Sequence, residues 1–285
     1  METIDCPLCG AETAEPVWTE DGYDLVRCAT CDLLYVANPP DEEELARLYS
    51  FESGFHTQLA DDSDQRSSAA DRNALHHLDL IGQQQKPGRL LDVGCATGRF
   101  LHHARDRGWI VRGVELNDDT ASIARGSGLK VTTGTLADMD SSETFDAITM
   151  WDVVEHVPEP LELLRDAKKL LAPGGCLWLA TPNSDGLFPT ASLKVAERVG
   201  RWPHPEPPYH LCQFSEMTLR QALGRAGFNA VEVTHERIPL GYTFGSTRQL
   251  LTEPKRLAYS AVFAPLAVAG PAIGRGDTMV AAARA

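Results

Sequence analysis

The sequence predicts a doubly wound α/β domain of seven strands, preceded by a small cysteine-rich module. Two observations carry the first part. Short apolar runs alternate with helical segments from Leu90 onward, and a glycine-bracketed turn joins the first run to the first helix. A third observation carries the second part: four of the seven cysteines stand in two C-x2-C pairs near the N-terminus.

The module comes first in the chain. Cys6 and Cys9, then Cys28 and Cys31, give two tight knuckles that present four thiolates to one Zn²⁺. Gly10 helps the first knuckle turn, and Val17, Trp18, Tyr23, Leu25 and Val26 suit a short hairpin between the pairs. Four thiolates close the coordination sphere, so the zinc expected here is structural. Asp41 then reads as an N-cap, followed by the first-turn acids Glu42 to Glu44. Ser50 to Ser68 is polar and reads as a mobile loop, and Asp71 to Leu80 as a helix leading into the first strand. The domain limits expected are a zinc ribbon at 1–40, a helical linker and cap at 41–87, and the α/β domain at 88–285.

Within that domain the apolar run Leu90–Val93 reads as a buried strand and Arg99–Arg107 as the helix after it. Ile110–Val114 is a second strand ending in Glu115, and Leu129–Thr133 a third, with Gly134, Thr135 and Leu136 beyond it. Phe145–Trp151 is the fourth strand, Pro160–Leu171 a helix, and Pro173-Gly174-Gly175 a turn into the strand Cys176–Ala180. A lid or insert is expected around 184–215, with a helix over Ser184–Trp202 and a Pro-rich loop from His204 to His210. Ser215 caps the next helix, and Phe228–Val233 and Thr278–Ala283 are the last two strands.

Composition narrows the functions. The chain has 285 residues and a net charge of −14, and residues 1–88 hold 18 acids against 5 bases. That surface repels phosphate backbones, so a small-molecule partner is expected and a nucleic acid is not. The start METIDCPLCG lacks the basic and apolar regions of a secretory leader, and the scattered Cys95, Cys176 and Cys212 read as reduced thiols; a cytoplasmic setting is expected. No run reads as a transmembrane segment. The nearest, Leu257–Gly274, is interrupted by Pro265, Gly270 and Pro271, and reads as a core or lid helix in preference to an interfacial membrane contact.

The turn L-L-D-V-G-C-A-T-G (Leu90–Gly98) carries the chemistry. Gly94 and Gly98 let a polar ligand approach the backbone where the strand meets the helix. The pattern is D-x-G-x-x-x-G, not the dinucleotide G-x-G-x-x-G, because Ala96 and Arg99 stand where that fingerprint needs other residues. Glu115, at the end of the next strand, is placed to accept ribose hydroxyls.

These residues resemble motif I of the class I S-adenosylmethionine (SAM) methyltransferases, and the order F-D-A-I, L-A-P-G-G, A-T-P-N extends the likeness over 88–183. The resemblance implies a Rossmann-like seven-stranded sheet whose last two strands pair antiparallel. It implies SAM contacts at Asp92, Gly94, Cys95, Gly98, Glu115, Leu116 and Leu136. Trp151 flanks the adenine, faces the sulfonium, or packs in the core. Thr135 stands where the family usually has an acid, which shifts adenine recognition to a neighbouring backbone group or Asp138.

Asp152, Glu155 and His156 would share one face if their segment were helical. They resemble the E-x-x-E-H segment of quinone-ring O-methyltransferases and small-RNA 2′-O-methyltransferases, which binds a divalent cation, with Asp in place of the first Glu. A cation there, a catalytic base or substrate contact at His156, and a purely structural role all stay open. The Cys6–Tyr49 run resembles the zinc-binding start of some bacterial methyltransferases of sugar and secondary-metabolite pathways, and P-x-H-x-x-x-F-S before the helix ending Ala226-Gly227-Phe228 resembles a segment of the same methyltransferase group. From these, His156 and His210 are the expected catalytic residues, Glu155 and Tyr209 the expected substrate contacts, and a small-molecule oxygen the expected acceptor. An rRNA base methyltransferase with a zinc ribbon is one rival reading; the acidic N-terminus opposes it. A non-catalytic zinc-binding interaction protein is another, opposed by the presence of Asp92, Gly94, Gly98 and Glu115.

Overall fold

The computed structural model describes residues 3–48, 64–200 and 207–285. Most of the polar stretch Ser50–Ser68 lies outside these residues, as do His204, Pro205 and Glu206; from Asp64 onward the stretch is helix instead of loop.

The cysteine module folds as strands β1 (Ala14–Glu20), β2 (Tyr23–Cys28) and β3 (Leu34–Val36), with β1 and β2 forming the expected hairpin. Helix α1 (Glu42–Leu48) begins where the sequence places it, since the Glu44 N–H donates to the Asp41 carboxylate at 2.8 Å. Helix α2 (Asp64–Gln84) leads into the large sheet.

That sheet alternates as expected: β4 (Arg89–Val93), α3 (Arg99–Asp106), β5 (Ile110–Glu115), α4 (Asp118–Gly126), β6 (Val131–Thr133), β7 (Phe145–Trp151), α5 (Pro160–Leu170) and β8 (Leu171–Pro182). The Pro173-Gly174-Gly175 turn is absorbed into β8 as an irregularity in its pairing with β7. Then come α6 (Leu187–Val199), β9 (Cys212–Gln213), α7 (Glu216–Arg225) and β10 (Asn229–Glu236). Helices α8 (Leu240–Phe244), α9 (Thr247–Thr252) and α10 (Pro254–Ala269) precede β11 (Thr278–Arg284). The strand order is β10-β11-β8-β7-β4-β5-β6, with β11 antiparallel to both neighbours and the rest of the β8-to-β6 block parallel.

Successive residues of the central strands feed opposite cores, as a sheet covered on both faces requires. Leu91, Ile148, Met150 and Leu179 pack with Leu164 of α5 and Leu219 of α7, whereas Leu90, Ala147 and Trp178 pack with Ile81 of α2 and Leu101 of α3. Truncating one of the leucines, Ile148 or Met150 to Ala would cost about 2–5 kcal/mol. The first core also takes in Cys6, Leu8 and Tyr35, so the cysteine module is packed onto the large sheet's core.

The second sheet has the order β1-β2-β3-β9. Its last strand, Cys212–Gln213, comes from the α/β domain. Of the core and lid readings of Leu257–Gly274, a core helix does not fit: only Phe263 and Ala267 of α10 are buried, because one side alone finds partners. Among the described residues, Pro254–Ile273 is the one helical stretch long and apolar enough to cross a membrane by length and composition.

Candidate active site

The carboxyl ends of β4, β5 and β7 converge, and the donor-side residues hang from them. Gly94 and Gly98 both take positive φ (69° and 85°), the left-handed region that costs glycine least. A Cβ at Gly94 would come within 2.8 Å of Val153 Cγ2, and one at Gly98 would run into Leu129. The turn therefore needs both glycines for packing.

Glu115 is 5% exposed, and each of its oxygens accepts a backbone N–H: Oε2 from Ala96 at 3.0 Å and Oε1 from Asn117 at 2.9 Å. Each oxygen keeps a second lone pair for a ribose hydroxyl. Gly94 and Cys95 donate their N–H groups to the Val114 carbonyl, and these bonds fix the shape of the turn. Asp92 is buried and accepts from the Thr149 hydroxyl at 2.7 Å. Burial raises its carboxyl to about 7, opposed by the Thr149 hydrogen bond and aided by the Glu115 charge.

The other expected donor contacts separate. Leu116 is exposed at the end of β5, where a ligand can lie on it. Leu136 is buried in the same core as Val114 and Met139, and the Cys95 thiol is buried with Leu90 and Leu101, pushed up by the same desolvation. Their side chains face the interior, so any contribution to the ligand comes through the backbone. Trp151 stacks on His77, ring centroids 3.9 Å apart, and meets the edge of Phe100, so the geometry supports its core-packing role. Asp138 accepts from the Thr135 N–H and hydroxyl in a capping box, and these bonds hold its carboxyl below the usual range.

The acceptor side differs from the helical expectation. After β7, Asp152 takes φ 54° while its N–H donates to the Ala180 carbonyl at 3.0 Å. Asp tolerates this left-handed conformation, but it breaks the chain's direction, and residues 153–157 form a turn instead of a helix. Asp152, Glu155 and His156 accordingly do not form the expected trio. The residues that meet are Glu155, His156 and His210, whose ligand atoms lie within 4.8 Å of one another. The two imidazole rings meet edge to face at 4.9 Å.

Glu155 is the hub. Its carbonyl accepts the N–H groups of Leu211 and Cys212, at 2.8 and 3.0 Å, which fixes the chain just after His210. Its Oε2 accepts from the Thr181 hydroxyl, while its buried Oε1 has no protein donor. Burial, then the Asp152 charge, raises the Glu155 carboxyl well above the ordinary range. Asp152 stays open to solvent yet crowded by protein, and desolvation raises it to about 6. His156 Nδ1 lies 2.7 Å from the Tyr209 carbonyl; as donor there, it leaves Nε2 as the lone-pair nitrogen. Burial lowers the His156 pKa, with the Tyr209 bond opposing. Tyr209 thus contributes a backbone oxygen that orients His156. The direct Glu155–His210 contact, between two residues the sequence assigns to one site, is made by the Leu211 and Cys212 bonds to Glu155, which join segments far apart in the chain.

At the N-terminus the four cysteine Sγ atoms lie within 4.8 Å of one another, with Cys6–Cys31 and Cys9–Cys28 each 3.5 Å apart. Zn–S bonds of about 2.3 Å in a tetrahedron put sulfurs about 3.8 Å apart, so the cluster fits zinc. Thr30 and Cys31 N–H groups point at Cys28 Sγ and, against the upward push of burial, bring that thiol to about 7.

Comparison with known proteins agrees with this geometry. The family model described as "Methyltransferase domain" matches residues 65–233. The ubiquinone biosynthesis O-methyltransferase of Xanthomonas oryzae pv. oryzae is 34% identical over 132 residues, which is 44% of this chain and 53% of that protein. Its counterpart from Idiomarina loihiensis is 31% identical over 123 residues, covering 40% and 50%. The matched stretch spans about half the length of these curated relatives. Among solved structures, a Burkholderia thailandensis 1,6-didemethyltoxoflavin-N1-methyltransferase covers 95% of this chain and 99% of its own, with 19% identity and a TM-score of 0.55. A SAM-dependent methyltransferase of Thermotoga maritima, described as a possible histamine N-methyltransferase, covers 81% and 97%, with 21% identity and a TM-score of 0.53. At these identities the structures speak for the fold. With its glycine turn, its Glu115 and its sheet order, this chain belongs to the methyltransferase-domain family.

Proposed function

We propose that the enzyme methylates a hydroxyl oxygen of a small molecule, in the class of sugar or secondary-metabolite intermediates. The observation that carries this reading is the Glu155–His156–His210 cluster, set beside the donor turn by the packing of Val153 against Gly94. The O-methyltransferase relatives support oxygen as the acceptor atom.

SAM, when bound, supplies a methyl group on an electrophilic sulfonium. Glu115 would hold its ribose, and the Gly94–Gly98 turn its methionine end. The chain's own task is alignment and proton removal. His156, kept neutral by burial and oriented by Tyr209, takes the acceptor hydroxyl proton at Nε2 as oxygen attacks the methyl carbon. The C–S bonding pair leaves with sulfur, so charge balances with one proton on the imidazole.

A divalent cation at the same cluster is the second reading, favoured by the partnerless buried oxygen of Glu155 beside two imidazoles. Glu155, His156 and His210 would hold it, and it would supply Lewis acidity toward the acceptor oxygen. Structural zinc at Cys6, Cys9, Cys28 and Cys31 belongs to the same proposal, as does a reducing, cytoplasmic setting in which such thiolates persist.

The test is transfer of a labelled methyl from SAM to a panel of hydroxylated small molecules, with and without added Mg²⁺ or Mn²⁺. Label in an alkali-stable ether is expected. Label in RNA, or on nitrogen only, would overturn the proposal.

A further inference from the structure

Strands β10 and β11 are antiparallel neighbours with Glu236 opposite Thr278, yet no tight turn joins them. Residues 237–277 intervene, carrying α8, α9, α10 and a 3₁₀ turn over Gly270–Ile273. One side of α10 is accounted for: Tyr259, Phe263 and Ala267 pack with Phe188 of α6 and Phe244 of α8. The other side is not. Leu257, Ala261, Val262, Pro265 and Val268 are all exposed, and at 100° per residue they fall within an arc of about 140°. Val262 and Ile273 are each 61% exposed, and no charged residue stands between Leu257 and Gly274. An ordinary surface helix carries charge on that arc.

Both ends of the segment return to the same point of the sheet, so it cannot span a bilayer despite its length and mean hydropathy of 1.3. It can lie on one. A second copy of the chain is a poorer occupant. The outer half of a 16-residue helix, about 24 Å long, offers roughly 400 Å². A stable interface needs about 800 Å² per partner. Charge favours lipid as well. In a chain of net charge −14, residues 237–277 hold five basic residues against two acids, and one of those acids, Asp277, is buried. Arg248 and Lys255 are exposed beside the start of α10.

We propose that α10 is a monotopic membrane-binding helix. Its apolar arc enters the headgroup–acyl boundary of an anionic bilayer, and Arg248 and Lys255 reach the lipid phosphates. This assignment is independent of which acceptor the enzyme methylates.

Vesicle flotation of the full chain tests it, using phosphatidylcholine alone and phosphatidylcholine mixed with phosphatidylglycerol. Flotation with the anionic vesicles and little with the neutral ones is expected. V262D/V268D should abolish it, and R248E/K255E should weaken it roughly tenfold or more, both with unchanged binding of S-adenosylhomocysteine. Absence of flotation at low salt would overturn the proposal. So would undiminished flotation of V262D/V268D, or a dimer that this variant dissolves in the absence of vesicle binding.

Discussion

Tyr35 of the cysteine module faces Cys212 across an antiparallel strand pair, two residues after His210. The Val36 N–H donates to the Leu211 carbonyl beside it, and Leu211 and Cys212 in turn donate to Glu155. The thiolate knuckle at Cys28–Cys31 and the His210 imidazole are thus ends of one short hydrogen-bonded relay. Treatment with a chelator, which would remove the proposed zinc, or the substitution Cys28→Ser is expected to lower methyl transfer by about tenfold or more through a loosened His210. The affinity for S-adenosylhomocysteine, measured by calorimetry, should change by less than about threefold, because the donor turn hangs from other strands. Equal losses in both would refute the relay.

Glu115 holds two turns closed before any ligand arrives. Glu115→Ala strands the Ala96 and Asn117 amides, an expected loss of about 2 kcal/mol in urea denaturation. Glu115→Gln keeps two acceptor lone pairs on one oxygen and should fold better while still losing about tenfold in SAM affinity. A Gln variant that binds SAM like the wild type would remove Glu115 from the ribose site.

Asp277 is buried with neither carboxylate oxygen partnered, and burial raises it to about 7 against the pull of Arg237. Its folded pKa lies above the unfolded value of about 3.9, so folding favours the protonated acid. The stability it contributes is complete below about pH 4 and is lost as pH rises through 7. Asp277→Asn should therefore stabilise the protein at pH 8 relative to pH 4, by on the order of 2 kcal/mol. Buried Asp92 acts in the same direction, and His77, lowered to about 4 by burial, acts in the opposite one. The difference between variant and wild type is thus the quantity to measure, by thermal melts across pH. A pH-independent difference would show that Asp277 does not titrate.

What the sequence disclosed followed from local rules. Phe145–Trp151 was legible to the residue, since an apolar run bounded by turn signals has one reasonable home in an alternating α/β chain. The Asp41 and Ser215 caps were legible because capping is a contact between near neighbours. Trp151-Asp152-Val153-Val154-Glu155-His156 misled for the same reason. Its helical spacing is real, but Asp152 is held left-handed by a bond to Ala180, and Glu155 is anchored by the amides of Leu211 and Cys212. His77 beneath Trp151 was equally hidden, being brought there by α2 from a distant part of the chain.

The two-residue strand Cys212–Gln213 also sets an order of events during synthesis. Until residue 212 leaves the ribosome, β3 presents an unpaired strand edge, the kind of surface on which nascent chains stick to one another. Early capture of zinc by the four cysteines would hold that edge short and anchored through the wait. The N-terminal metal would then serve the newborn chain as a guard before it serves the finished enzyme as a brace.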